Sequence, residues 1–155
     1  MKLLITTFIF LLPFFSYSQY TGATPWDNCF GKNASCEYVG CSDIKVKTST
    51  SSPVVAIVKR YGKVIKHAYI SSNSSYTFQV LDGTYQVFFY YGKNWDRYKK
   101  MNSDECYSIT GGFTSNESVS KDNPITLEGQ IMTYTLTQTS YGNFNPKSSS
   151  LGEAL

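Results

Sequence analysis

The sequence predicts an all-β fold: an antiparallel β-sandwich of six to seven strands, immunoglobulin-like in class, behind an irregular disulfide-pinned N-terminal segment. Three observations predict it. From Ile44 onward apolar and polar residues alternate with period two, the pattern of a strand with one buried and one solvated face. Gly-, Asn- and Ser-rich turns interrupt the alternation at short intervals. No stretch carries the 3.6-residue apolar repeat of an amphipathic helix.

Each element follows in order. Met1–Ser18 has a basic start at Lys2, an apolar run from Leu3 to Phe15, and small residues at Ser16 and Ser18. This is the layout of a secretory signal peptide, and its apolar run is too short to span a bilayer. Residues 19–42 are rich in Gly, Asn, Pro and Cys and read as an irregular lead-in. Residues 43–140 form the sandwich. Ile44 and Val46 alternate with Lys45 and Lys47, and Val54 to Tyr61 is a β-branched run. A turn at Tyr61-Gly62-Lys63 leads back through Val64 to Ile70, which makes a hairpin. Tyr76, Phe78 and Val80 mark the next strand, Asp82-Gly83 a tight turn, and Thr84 to Tyr91 another strand.

Beyond Gly92 the signal weakens. Lys93 to Glu105 reads as a polar loop with embedded aromatics, and Tyr107 to Thr114 as a strand weakened by Gly111-Gly112. Ser115 to Gly129 reads as a loop, Ile131 to Gln138 as a last strand, and residues 141–155 as a flexible tail. One inner face is expected to carry Val46, Val55, Ile57, Tyr76, Phe78, Val80, Tyr85, Val87 and Phe89.

Four cysteines, Cys29, Cys36, Cys41 and Cys106, predict two disulfides with three possible connectivities. At most one bridge is local to residues 29–41, so the other reaches Cys106. A metal site is disfavoured because Cys-x6-Cys-x4-Cys lacks a Cys-x2-Cys knuckle and His67 is the sole histidine. No cofactor is expected.

The segment Ser75 to Val87, with Phe78, Val80, Gly83, Tyr85 and Val87, resembles the strand–turn–strand of prealbumin-like and carboxypeptidase-regulatory-like extracellular β-sandwich modules. The resemblance implies a sandwich fold and an accessory or binding role. It implies no catalytic residue.

The net charge of +3 is too small for a polyanion-binding field, and no basic run or nucleic-acid motif is present, so nucleic acid is not an expected partner. Nor does a transmembrane span follow the leader. Scattered serines lack a Gly-x-Ser-x-Gly elbow, and no catalytic set surrounds His67. The basic hairpin of Lys59, Arg60, Lys63 and Lys66 reads as a solvated face or edge protection. Asp104, Glu105, Asp122 and Asn123 read as ordinary loop residues rather than calcium ligands. Asn33, Asn73 and Asn116 each begin a glycosylation acceptor pattern.

The strongest site candidate is the aromatic stretch from Phe88 to Tyr98. Tyr90, Asn94, Trp95, Asp96, Arg97 and Tyr98 combine rings for stacking with polar groups for orientation. The competing reading is that these rings cover the second face of a central strand. The expectation is therefore a secreted, non-catalytic module binding a carbohydrate or an extracytoplasmic envelope protein. The alternatives are a structural protein that associates through sheet edges and a protease inhibitor displaying Phe30 to Cys41.

Overall fold

In strand β1 (Cys41–Thr48), Ile44, Val46 and Thr48 point inward while the lysines between them stay at the surface. β2 (Val54–Arg60) is buried on both faces from Val54 to Val58, as a central strand covered above and below requires. A computed structural model describes residues 19–37, 39–49, 52–137 and 146–155 of the chain. The expected leader, Met1–Ser18, lies outside them. The other described elements are α1 (Asp27–Phe30), β3 (Lys63–Ile70), β4 (Ser75–Leu81), β5 (Gly83–Lys100), β6 (Thr110–Lys121), β7 (Ile125–Leu127), β8 (Ile131–Leu136), β9 (Lys147–Ser149) and α2 (Leu151–Ala154).

The strands form two sheets, β4-β1-β8 and β3-β2-β5-β6-β9, with β7 paired to β5. The all-β sandwich of the sequence reading is therefore present, with nine described strands instead of six or seven. The predicted hairpin is β2–β3. Its two turn residues, Tyr61 and Gly62, both have positive φ, the signature of a turn whose twist matches the strands.

The second predicted turn is different in kind. β4 pairs with β1 and β5 pairs with β2, so the chain changes sheets at Asp82-Gly83 instead of folding back as a hairpin. The Tyr85 hydroxyl donates to the Leu81 carbonyl across this corner. That is the tyrosine-corner device of Greek-key sandwiches, which satisfies a carbonyl where ladder pairing stops.

The same corner explains the one departure from antiparallel order among the described strands. One Asp82 carboxylate oxygen accepts from the Ser42 hydroxyl at 2.5 Å and from the Gly129 amide at 2.9 Å. These bonds hold the turn before β8 beside the start of β1. β8 thus enters from the same end and runs parallel to β1, with Val46 opposite Tyr134.

Two cores result. Between the sheets lie Ile44, Val46, Phe78, Val87, Phe89 and Tyr134 with their neighbours. The outer face of the large sheet carries Val55, Ile57, Phe88 and Tyr90. Val55 and Ile57 were expected on the inner face with Val46. Alternation instead gives that face to Val54, Ala56 and Val58, because β2 is apolar at every position and its pattern does not reveal its phase.

The second core is roofed by both chain ends. Trp26 from the lead-in is fully buried there, and Ala154 and Leu155 close it from the C-terminus. Full burial of a side chain of the size of Leu155 contributes roughly 1.5–3 kcal/mol. The tail was expected to be flexible. Its residues 147–155 instead form β9 and α2, because Leu155 finds an apolar seat and β9 extends the β6 edge. The disulfides are Cys36–Cys41 and Cys29–Cys106, the latter fastening α1 to the β5–β6 connection.

Candidate functional site

The stretch expected to be a loop, Lys93 to Glu105, is largely strand. β5 continues to Lys100 and pairs with β6, which itself runs to Lys121 and so into the first half of the second expected loop. Along β5, Val87, Phe89 and Tyr91 face the inner core, so strict alternation would turn Trp95 inward too. The register slips between Tyr91 and Lys93, and Asn94 adopts a left-handed φ of 56°. This bulge inverts the phase and places Trp95 on the outer face. Gly92 permits the bend, since a Cβ there would lie 2.3 Å from Cβ of Phe113.

Trp95 is half-buried, edge-on to Phe113 at 5.1 Å and to Tyr69 at 5.6 Å, and 6.4 Å from Trp26. It packs against β6 at Gly111, whose missing Cβ leaves room for the indole. The Trp26 indole takes the Gly111 carbonyl as acceptor at 2.8 Å. The Trp95 indole N–H is buried and has no acceptor among the described residues.

Trp95 and Arg97 line a cleft of about 430 Å³. Thr110 and Gly111 continue this wall, and the opposite wall comes from the lead-in with Gln19, Thr24, Asp27 and Lys32. Of this first wall the sequence pointed to Trp95 and Arg97 but not to Thr110 or Gly111. The other comes from residues more than sixty positions away with no motif, and only the fold brings them to Trp95.

The other expected site residues are distributed differently. Tyr90 is buried against Trp26 and Phe113 and does not line the cleft. Its hydroxyl accepts from the Phe113 amide at 2.9 Å and donates to Glu117 at 2.5 Å. Burial and that carboxylate push its phenol pKa well above the usual range. Burial alone would raise Glu117, but its bonds from Lys99 and Tyr90 hold it below the ordinary carboxylate value. Asn94 donates to the Ser115 hydroxyl at 3.2 Å, and Asp96 accepts from the Tyr98 amide at 2.8 Å. Tyr98 is 73% exposed, with the Arg97 guanidinium 5.0 Å from its ring centre. Arg97 therefore links the cleft to an exposed ring at its rim.

The remaining candidates have structural partners. His67 is fully buried, stacked on Trp26 at 5.5 Å, and its Nε2 accepts from the Trp26 amide at 3.0 Å. Lys59 donates to the Glu153 carbonyl, Lys66 to the Ala34 carbonyl, and Arg60 packs against Tyr61 and Tyr85. The Asp122 carboxylate accepts from Tyr134 and the Asn123 amide. Among the described residues no three His, Cys, Asp or Glu side chains converge as a metal site. Asn33 bonds to both main-chain groups of His67 through its side-chain amide, whereas Asn73 and Asn116 are exposed.

No protein-family model, curated protein or solved structure matches the chain. The resemblance to prealbumin-like modules thus rests on the Ser75–Val87 segment alone.

Proposed function

We propose that the protein is exported through the leader Met1–Ser18 and binds a polysaccharide in the Trp95–Arg97 cleft, without catalysing a reaction. One observation carries this reading. The cleft joins an indole, a guanidinium, an ammonium, a carboxylate and two threonine hydroxyls within one concavity. Sugar rings offer apolar faces for stacking and hydroxyls that both donate and accept, so this mixture of groups suits them. Two disulfides are compatible with an oxidising compartment outside the cytoplasm, and no described helix is long and apolar enough to cross a membrane.

The test is capture of oxidised protein on a panel of neutral and acidic polysaccharides, with Arg97→Ala beside the parent. Arg97 stands at the rim, so its truncation should leave the melting temperature within a degree or two while weakening capture about tenfold, a loss of about 1.4 kcal/mol. Trp95→Phe keeps a ring in the packing but offers a smaller aromatic surface to the cleft, and should weaken capture as well. Equal capture by all three proteins, or none by the parent, would overturn the reading.

A further inference from the structure

We infer that Gln19 is a modification site: once the leader is removed, it cyclises to pyroglutamate and closes the end of the cleft as a neutral lactam. This rests on the reading of Met1–Ser18 as a cleaved leader. Cleavage after Ser18 makes Gln19 the first residue of the mature chain.

The structure holds that end in place. Directly after it, the Ala23 amide donates to the Tyr20 carbonyl at 3.0 Å, and the Gly22 amide donates to the Tyr69 carbonyl at 2.8 Å. The Tyr69 amide returns the bond to Ala23, and Thr21 accepts from the Ser71 amide. The segment is thus stitched to β3 from Thr21 onward, and Gln19 is half-buried as part of the cleft lining.

A new α-ammonium at Gln19 would enter a cleft already lined by Lys32 and Arg97, with Asp27 as its one carboxylate. A third positive charge in a partly desolvated concavity is unfavourable. An α-amine titrates near pH 8, so a reactive neutral fraction is present at physiological pH. In the cyclisation the α-nitrogen attacks the side-chain amide carbon. One C–N bond forms, the bond to the side-chain nitrogen breaks, and ammonia leaves. No oxidant or co-reactant is consumed. The product has no charge at the chain end and presents a small neutral ring in the wall opposite Trp95.

The experiment is intact-mass measurement and N-terminal sequencing of the protein exported by a secreting host. The denatured chain is sequenced before and after treatment with an aminopeptidase specific for pyroglutamate. The expected result is the mass of residues 19–155 less two hydrogens per disulfide and less one ammonia, with sequencing blocked until the peptidase is added. The Gln19→Ala chain should show no ammonia loss and sequence directly. An end at unmodified Gln19 would overturn the cyclisation while leaving the leader reading intact. An end at any other residue would overturn both.

Discussion

Burial of His67 between Trp26 and Phe30 sets how the protein responds to acid. Burial lowers its pKa from 6.5 to about 4, and the charge of Asp27 and the Thr24 carbonyl oppose that shift without cancelling it. Geometry agrees, because Nε2 accepts the Trp26 amide and a proton there would remove the acceptor. The unfolded chain binds a proton near pH 6.5 and the folded chain only near 4. Stability is therefore constant above about pH 6.5, declines as pH falls toward 4, and gains no further loss from His67 below that. The decline should approach about 3 kcal/mol, measured by urea unfolding at a series of pH values. The carboxylates of Asp82, Glu117 and Glu153 all have lowered values, so their contributions persist through most of this range and are lost as pH falls further, through those lowered values. The His67→Gln variant, whose amide oxygen can accept the same bond without titrating, should flatten the slope between pH 6.5 and 5. An unchanged slope would remove His67 as its cause. The sequence showed His67 as a strand residue two places from Tyr69, but its burial depends on Trp26, forty-one positions earlier.

At the scale of the element, β5 is decisive. Its first half was legible from Tyr85, Val87, Phe89 and Tyr91, which alternate without interruption. Its second half was not, because the bulge at Gly92–Asn94 reverses which positions are buried and makes a continuous strand look aperiodic. Gly92→Ala should show how tightly that bend is set. The added methyl meets Phe113 at 2.3 Å on Cβ and 2.5 Å on Cγ, and Phe113 is itself wedged between Trp95 and Tyr90. A loss of about 1–3 kcal/mol is expected in urea unfolding, the range for overpacking a dense core. Gly129→Ala is the comparison, since open space surrounds it and only its positive φ of 61° opposes a side chain. A smaller cost at Gly92 than at Gly129 would show that the strand can shift without the bulge. Trp95→Ala, by contrast, would open a cavity beside Phe113 and confound binding with folding.

At the scale of the whole molecule, the third layer over the large sheet distinguishes this sandwich from two sheets alone. The lead-in supplies Trp26 to the second core and one wall of the cleft, and Cys29–Cys106 ties it down. The paired cysteines lie 77 positions apart, against 5 for Cys36–Cys41. In the chain-entropy treatment these loops correspond to about 4.5 and about 2 kcal/mol. The Cys29→Ser/Cys106→Ser protein should therefore lose more stability than the Cys36→Ser/Cys41→Ser protein, as read from unfolding free energies. It should also bind polysaccharide more weakly, because half of the cleft is no longer held against Trp95. Equal losses for the two double variants would mean that Trp26 and Leu155 already hold the layer without the bridge.

Local chemistry determined strands β1 to β4, the first half of β5, β8, the β2–β3 turn, and the constraint that one bridge must reach Cys106. These follow from side-chain period, backbone preference at Gly and Asn, and the spacing of four thiols, all of which act over a few positions. Only the tertiary structure decided which face of β2 meets the other sheet, that Asp82-Gly83 joins two sheets, that β8 runs parallel to β1, and that the last residues seat in a core. It also separated Tyr90 from Arg97 and brought Asp27 and Lys32 to the cleft. Each of those outcomes depends on a partner distant in sequence, and an apolar or charged residue carries no mark of which distant partner will cover it.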